Sequence, residues 1–160
     1  MQRRSGEGRP SWCYGTPGIA RALHLAGVAL GEEEWIRGAA DAMREVFARP
    51  DGLRGLNDPG LCHGPAGLLQ VTGRMAEELD DPALSARADE LAEWLGDRFT
   101  LGSVYGFPTV LPAAGGSRTQ DSPNPLEGAA GIALVLRGRV APPAGAPAEA
   151  PAWDAALLLS

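Results

Sequence analysis

The sequence contains no lysine, so all fourteen of its positive charges are arginine. Set against twenty carboxylates they leave a formal charge of −6. No basic patch forms, which excludes the electrostatic footprint of a nucleic-acid binder. Nor is there an apolar run of the roughly 18 residues that would span a bilayer, so no transmembrane segment is expected. The stretch Met1–Pro10 is polar and has no apolar centre, so it does not read as a secretory signal. Arg3-Arg4 is not followed by the hydrophobic stretch of an export signal, and the expected compartment is the cytoplasm. Cysteine is scarce as well, with only Cys13 and Cys62. In a reducing compartment two cysteines serve more often as ligands, catalytic groups or core than as a disulfide.

What is present suffices for one domain: 160 residues, 44% of them hydrophobic, can bury a core. Residues 1–10 read as a disordered lead-in and 11–160 as one helical-repeat domain. Pro17 suits the start of a first helix, whose apolar residues Ile19, Leu23, Leu25, Ala26 and Leu30 fall mostly on one face. Gly31 stops it. Glu32-Glu33-Glu34 places negative charge at the start of a second helix, where the helix dipole favours it. Trp35, Ala39, Met43, Val46 and Phe47 follow at helical spacing, and Pro50 ends that helix. After a loop over 51–62, a second hairpin carries Leu68, Leu69, Val71, Thr72, Met75 and Leu79 outward. It turns at Asp80-Asp81-Pro82 and returns through Leu84, Ala88, Leu91, Trp94, Leu95 and Phe99. Residues 100–125 read as a long irregular segment, and a further helix starts near Leu126. Residues 138–152 are rich in Pro, Ala and Gly and are expected to lack regular structure, while Trp153–Leu159 reads as a short docked helix.

Three helix starts share one pattern: Gly15-Thr16-Pro17-Gly18, Gly64-Pro65-Ala66-Gly67 and Gly128-Ala129-Ala130-Gly131. Their separation of roughly 50 to 65 residues suits helical-repeat architectures. The first glycine is expected to let the backbone turn tightly, and the second to let a neighbouring helix approach. Ahead of the first glycine stand Cys13-Tyr14, Cys62-His63 and Leu126-Glu127. Two thiolates and an imidazole form a ligand set zinc accepts, and three protein ligands with an open position is the catalytic pattern. Adjacent Cys62 and His63 share a metal only in an irregular turn, which Gly60 and Gly64 permit. No Cys-x-x-Cys spacing occurs, so the residues alone leave buried, inert cysteines open beside the zinc reading. His24, on the first helix, reads as packed or surface-exposed rather than as a ligand.

Three segments carry a resemblance: Trp12-Cys13-Tyr14-Gly15-x-Pro17-Gly18, Leu61-Cys62-His63-Gly64-x-Ala66-Gly67 and Leu126-Glu127-Gly128-x-Ala130-Gly131-Ile132. Together with Trp153-Asp154-x-x-Leu157-Leu158, they resemble the C-terminal part of the lanthionine synthetase C-like family, the cyclases of lanthipeptide biosynthesis. The resemblance implies an all-α fold, a partial α/α toroid of helical hairpins around a zinc ion. It assigns zinc ligation to Cys13, Cys62 and His63, and places Tyr14 beside the metal in a supporting catalytic role. The implied activity adds a peptide cysteine thiolate to a dehydroalanine or dehydrobutyrine, closing a thioether ring. Two thiolates and a neutral imidazole bring zinc to a charge near zero, so a third, substrate thiolate stays electron-rich and nucleophilic. The implied partners are a dehydrated precursor peptide and either a dehydratase or an N-terminal half.

Cyclases of this family are longer, with further hairpins and a His and an Asp near the zinc ahead of the first cysteine. Residues 1–10 contain neither residue type. The expectation is therefore a C-terminal fragment, one half of a split enzyme, or a degenerate remnant. A non-catalytic zinc-binding helical module that binds a peptide or partner synthetase is the second reading. A plain helical-repeat scaffold with buried cysteines is the third.

Overall fold

The computed structural model describes residues 10–48, 56–140, 153–157 and 159. The expected lead-in falls outside the described residues except for Pro10, as do the Pro50 helix stop and most of the 138–152 segment. Among the described residues the helices are α1 (Thr16–Leu30), α2 (Glu33–Ala48), α3 (Pro65–Leu79), α4 (Pro82–Gly96) and α5 (Ala129–Arg139). A short 3-10 helix covers Trp153–Leu157, where the docked tail was expected.

α1 and α2 pack as one antiparallel hairpin and α3 and α4 as a second. α3 lies centrally, in contact with all four other helices. Its apolar residues Leu68, Leu69, Val71 and Met75 are completely buried, as the pattern predicts. Burying about 25 cal/mol for each Å² of apolar surface makes α3 the main contributor to the core. α2 adds Ala39, Met43 and Val46, and α4 adds Leu84, Ala88, Leu91 and Leu95. The turn between α3 and α4 follows the expected Asp-Asp-Pro. Asp80 adopts left-handed backbone at φ 50, and the Asp81 carboxylate caps α4 by accepting from the N–H of Ala83 and of Leu84.

α1 departs from its apolar pattern. Ile19 and Leu30 are exposed, and the buried face instead carries Ala20, Arg21, His24 and Gly27. A buried arginine persists only when its donors are satisfied, and here they are. Arg21 Nε and Nη2 donate to the Leu159 carbonyl at 2.9 and 2.7 Å. Nη1 and Nη2 donate to the Glu78 carboxylate at 2.6 and 2.7 Å, and Nη1 also meets His24 Nδ1 at 3.0 Å. Arginine only donates, so Nδ1 accepts and His24 is a neutral, packed side chain. This agrees with the packing reading of His24.

Three further expectations are corrected. The segment 100–125 is not wholly irregular, because β1 (Thr109–Ala113) and β2 (Gly116–Gln120) pair antiparallel as a hairpin. Pro112 is tolerated there because each strand of a two-stranded ribbon leaves alternate N–H groups unpaired. The helix carrying Trp94 ends at Gly96, leaving Phe99 outside it and exposed. α5 runs through Gly138 to Arg139, so regular structure persists past the start expected for the Pro/Ala/Gly-rich stretch.

Candidate metal centre

Each repeat start folds the same way. Gly15 N–H donates to Ser11 O at 3.0 Å, Gly64 N–H to Gly60 O at 3.1 Å, and Gly128 N–H to Asn124 O at 2.8 Å. Each closes one turn and delivers an extended glycine that caps the following helix. The second glycine works differently from the expectation. A Cβ on Gly18, Gly67 or Gly131 would lie 1.8, 1.9 and 1.9 Å from the carbonyl oxygen of Trp12, Leu61 and Pro125. These glycines thus make room for their own preceding turn. The neighbouring repeat comes second, with Trp12 Cβ 3.3 Å from the Gly67 position and Leu61 Cβ 3.2 Å from that of Gly131.

This stacking sets the turns side by side. The Cys62 N–H donates to Leu126 O at 2.8 Å, tying the second turn to the third. Cys13 and the adjacent pair Cys62 and His63, distant from it in sequence, each bring a ligand atom within 4.8 Å of the others. Cys62 Sγ lies 3.7 Å from His63 Nε2 in the irregular turn that both require. Donor atoms around one tetrahedral zinc sit about 3.5–3.8 Å apart, given Zn–S near 2.3 Å and Zn–N near 2.0 Å. The Cys62–His63 separation matches that spacing, Cys13 Sγ lies within 4.8 Å of both, and two thiols with an imidazole are donors zinc accepts. Cys13 is exposed and Cys62 and His63 half-buried, which leaves the centre accessible from one side. The Tyr14 ring tilts at 59° to the His63 ring with centroids 5.4 Å apart.

The surroundings disfavour an uncompensated thiolate. Burial pushes the Cys62 thiol up to about 12, with the Cys13 thiol and the negative charge of Glu127 adding to it. Burial also raises the Asp58 carboxyl, although N–H donors from Gly60 and Val110 partly offset this. A divalent ion would reverse the cost of the thiolate. The motif pattern did not single out Asp58. Its two oxygens accept from Gly60 N–H at 2.8 Å and Val110 N–H at 2.9 Å, clamping the ligand turn to the root of the hairpin. Thr109 Oγ1 donates to Glu127 O at 2.7 Å and secures that root to the third turn. The Asn-Asp-Pro-Gly run ahead of Cys62 was the available signal for Asp58, since aspartate two residues before glycine favours such turns.

Comparison with known proteins agrees with the repeat and the motifs. The family described as "Lanthionine synthetase C-like protein" matches residues 2–144. The nisin biosynthesis protein NisC of Lactococcus lactis subsp. lactis is 24% identical over 106 residues, covering 62% of this chain and 25% of that protein. The solved structure of a nisin cyclase superposes with a TM-score of 0.66 at 23% identity, over 99% of this chain and 34% of the other. The chain thus spans about a quarter to a third of the length of these relatives. Their fold accounts for the helical hairpins as part of an α/α toroid. The chain belongs to the lanthionine synthetase C-like family.

Proposed function

We propose that this chain carries the thiol-activating zinc centre of a lanthionine-type cyclase, with Cys13, Cys62 and His63 as ligands. The convergence of two sulfurs and an imidazole within 4.8 Å is the observation that carries the reading. When bound there, zinc supplies the positive charge that lets an incoming cysteine thiol lose its proton near neutral pH. The remaining work falls to the chain. Cys13 and Cys62 would hold the ion as thiolates and keep the centre electron-rich, and His63 would complete the set through its imidazole. The substrate is a dehydrated precursor peptide. Its cysteine sulfur bonds to the β-carbon of a dehydroalanine or dehydrobutyrine, the C=C electron pair moves toward the carbonyl, and the α-carbon then takes a proton. Atoms balance, because the proton lost from sulfur is matched by the one gained at carbon. Tyr14 packs against His63, and its O–H is the donor we assign to the carbonyl oxygen on which charge develops. The setting is the cytoplasm, and residues 11–160 act as one unit alongside a dehydratase or an N-terminal half. Among the described residues no helix is long and apolar enough to cross a membrane.

Metal analysis of the purified chain is the first test, with one zinc per chain expected and loss of that zinc in Cys13→Ser and Cys62→Ser. A dehydrated peptide is then incubated with the zinc-loaded chain, alone and with a candidate N-terminal half, while free thiols are counted. Stoichiometric zinc with thiols that persist under both conditions would overturn the enzyme and leave a peptide-binding zinc module. A chain that holds no zinc, and folds equally well as the double serine variant, would be only a scaffold.

A further inference from the structure

A groove of about 410 Å³ opens beside the candidate metal centre. It is lined by Ile19 and Ala22 of α1, by Leu157 and Leu159 of the C-terminal tail, and by Trp12, Cys13 and Tyr14 of the first turn. The tail wall is fixed at two points. Leu159 O is held by Arg21, and the fully buried Asp154 accepts from Arg74 Nε and Nη2 at 2.8 and 2.7 Å and from Gln70 at 2.6 Å. Every guanidinium N–H of Arg21 is engaged by Leu159, Glu78 or His24, so this arginine offers the groove no unspent donor. The rest of the lining is mostly aliphatic or aromatic, and Ile19 and Tyr14 remain 68% and 59% exposed although both are large. The volume lies within the range of about 300–1,000 Å³ usual for ligand pockets.

We infer that this groove takes a large aliphatic or aromatic side chain of the substrate peptide, one or two positions from the reacting cysteine. The inference rests on the cyclase reading above and names the peptide class that the centre prefers. An extended peptide advances about 3.3 Å per residue. Cys13 lines the same groove as Ile19 and Leu157, so a peptide whose cysteine reaches Cys13 brings its neighbouring side chains to this groove. Apolar walls and a spent arginine favour an apolar side chain over a charged one.

The chain has three isoleucines, Ile19, Ile36 and Ile132, so methyl-labelled isoleucine reports the groove directly. The zinc-loaded chain is titrated with three pentapeptides whose sequences are Gly-Phe-Cys-Phe-Gly, Gly-Gly-Cys-Gly-Gly and Gly-Phe-Ser-Phe-Gly. The Ile19 methyl should shift saturably with both phenylalanine peptides, while the completely buried Ile132 stays still and reports an intact fold. The phenylalanine–cysteine peptide should bind on the order of tenfold tighter than the glycine one. Ala22→Phe, which fills the groove from an exposed helix position, should abolish that difference with zinc content unchanged. Equal affinities for the phenylalanine and glycine peptides, or an Ile19 shift that survives Ala22→Phe, would overturn the inference. A chain without zinc overturns the cyclase reading instead, and the serine peptide still decides the groove.

Discussion

Replacing Gly67 by alanine adds one methyl group, and the structure says what that methyl meets. Its carbon would lie 1.9 Å from the Leu61 carbonyl oxygen, whereas real Cβ contacts essentially never fall below 3.0 Å. Either the carbonyl or the first turn of α3 must retreat by about 1.1 Å. That carbonyl belongs to the residue directly before Cys62, so the retreat passes into the ligand turn. Metal distances tolerate about 0.2 Å, so a displacement several times larger removes the centre as a good fit. Intrinsic helix propensity acts the other way, favouring alanine over glycine by about 0.5–1 kcal/mol. The clash wins, because both sides of it are backbone, and a net loss on the order of 3 kcal/mol follows. In a chain of this length that is a fall in Tm of about 6–12 °C. Gly38→Ala is the matched control: it sits exposed within α2 with nothing inside 4 Å of the added carbon, so propensity alone acts and Tm rises by a few degrees. Thermal unfolding by circular dichroism, with zinc content measured on the same samples, reads both. A Gly67→Ala protein that melts at the parent temperature and keeps its full zinc would refute the reasoning.

Other expectations follow from particular side chains. His24 is held below its ordinary value, first by burial and then by the charge of Arg21, with Glu78 opposing. Its folded state favours the neutral ring, so the stability it contributes is present above about pH 6.5 and is lost as the pH falls below that. Urea midpoints across that window should drop in the parent and flatten in His24→Gln. Asp154→Ala removes the partner of Arg74 and should cost on the order of 3 kcal/mol, the lower end for a broken buried pair because Arg74 stays 27% exposed; urea unfolding measures it, and faster carboxypeptidase trimming would mark release of the tail. Zinc uptake must displace the proton of Cys62, whose thiol stays protonated to about 12, so affinity should rise with pH and calorimetry in buffers of differing ionisation heat should show proton release. Tyr14→Phe keeps the ring against His63 but removes its hydroxyl, and should slow ring closure ten- to hundredfold with zinc retained, one hydrogen bond to developing charge being about 1.5–3 kcal/mol.

Much of this protein was legible in its residues. Periodicity alone marks α3 and α4, because a helix that buries one face must repeat its apolar side chains every three or four positions. The three glycine-flanked helix starts were equally plain, since the pattern is local. The β1–β2 hairpin was obscured by Pro112 and the surrounding glycines, though Gly115-Gly116 between two short runs of strand-forming residues was a usable signal. On α1 the pattern misled. Arginine and histidine take the inner face there only because Glu78 and the Leu159 carbonyl, remote in the chain, arrive to bond them.

Sequence by itself determined where the helices start, the repeat and the identity of the three donors, all properties of neighbouring residues. Tertiary structure alone decided that Cys13 comes to stand beside Cys62 and His63, and that the tail walls a groove next to them. The cause is steric: glycines without a Cβ let each turn nest against the next helix, and only stacked repeats bring the distant sulfur within reach.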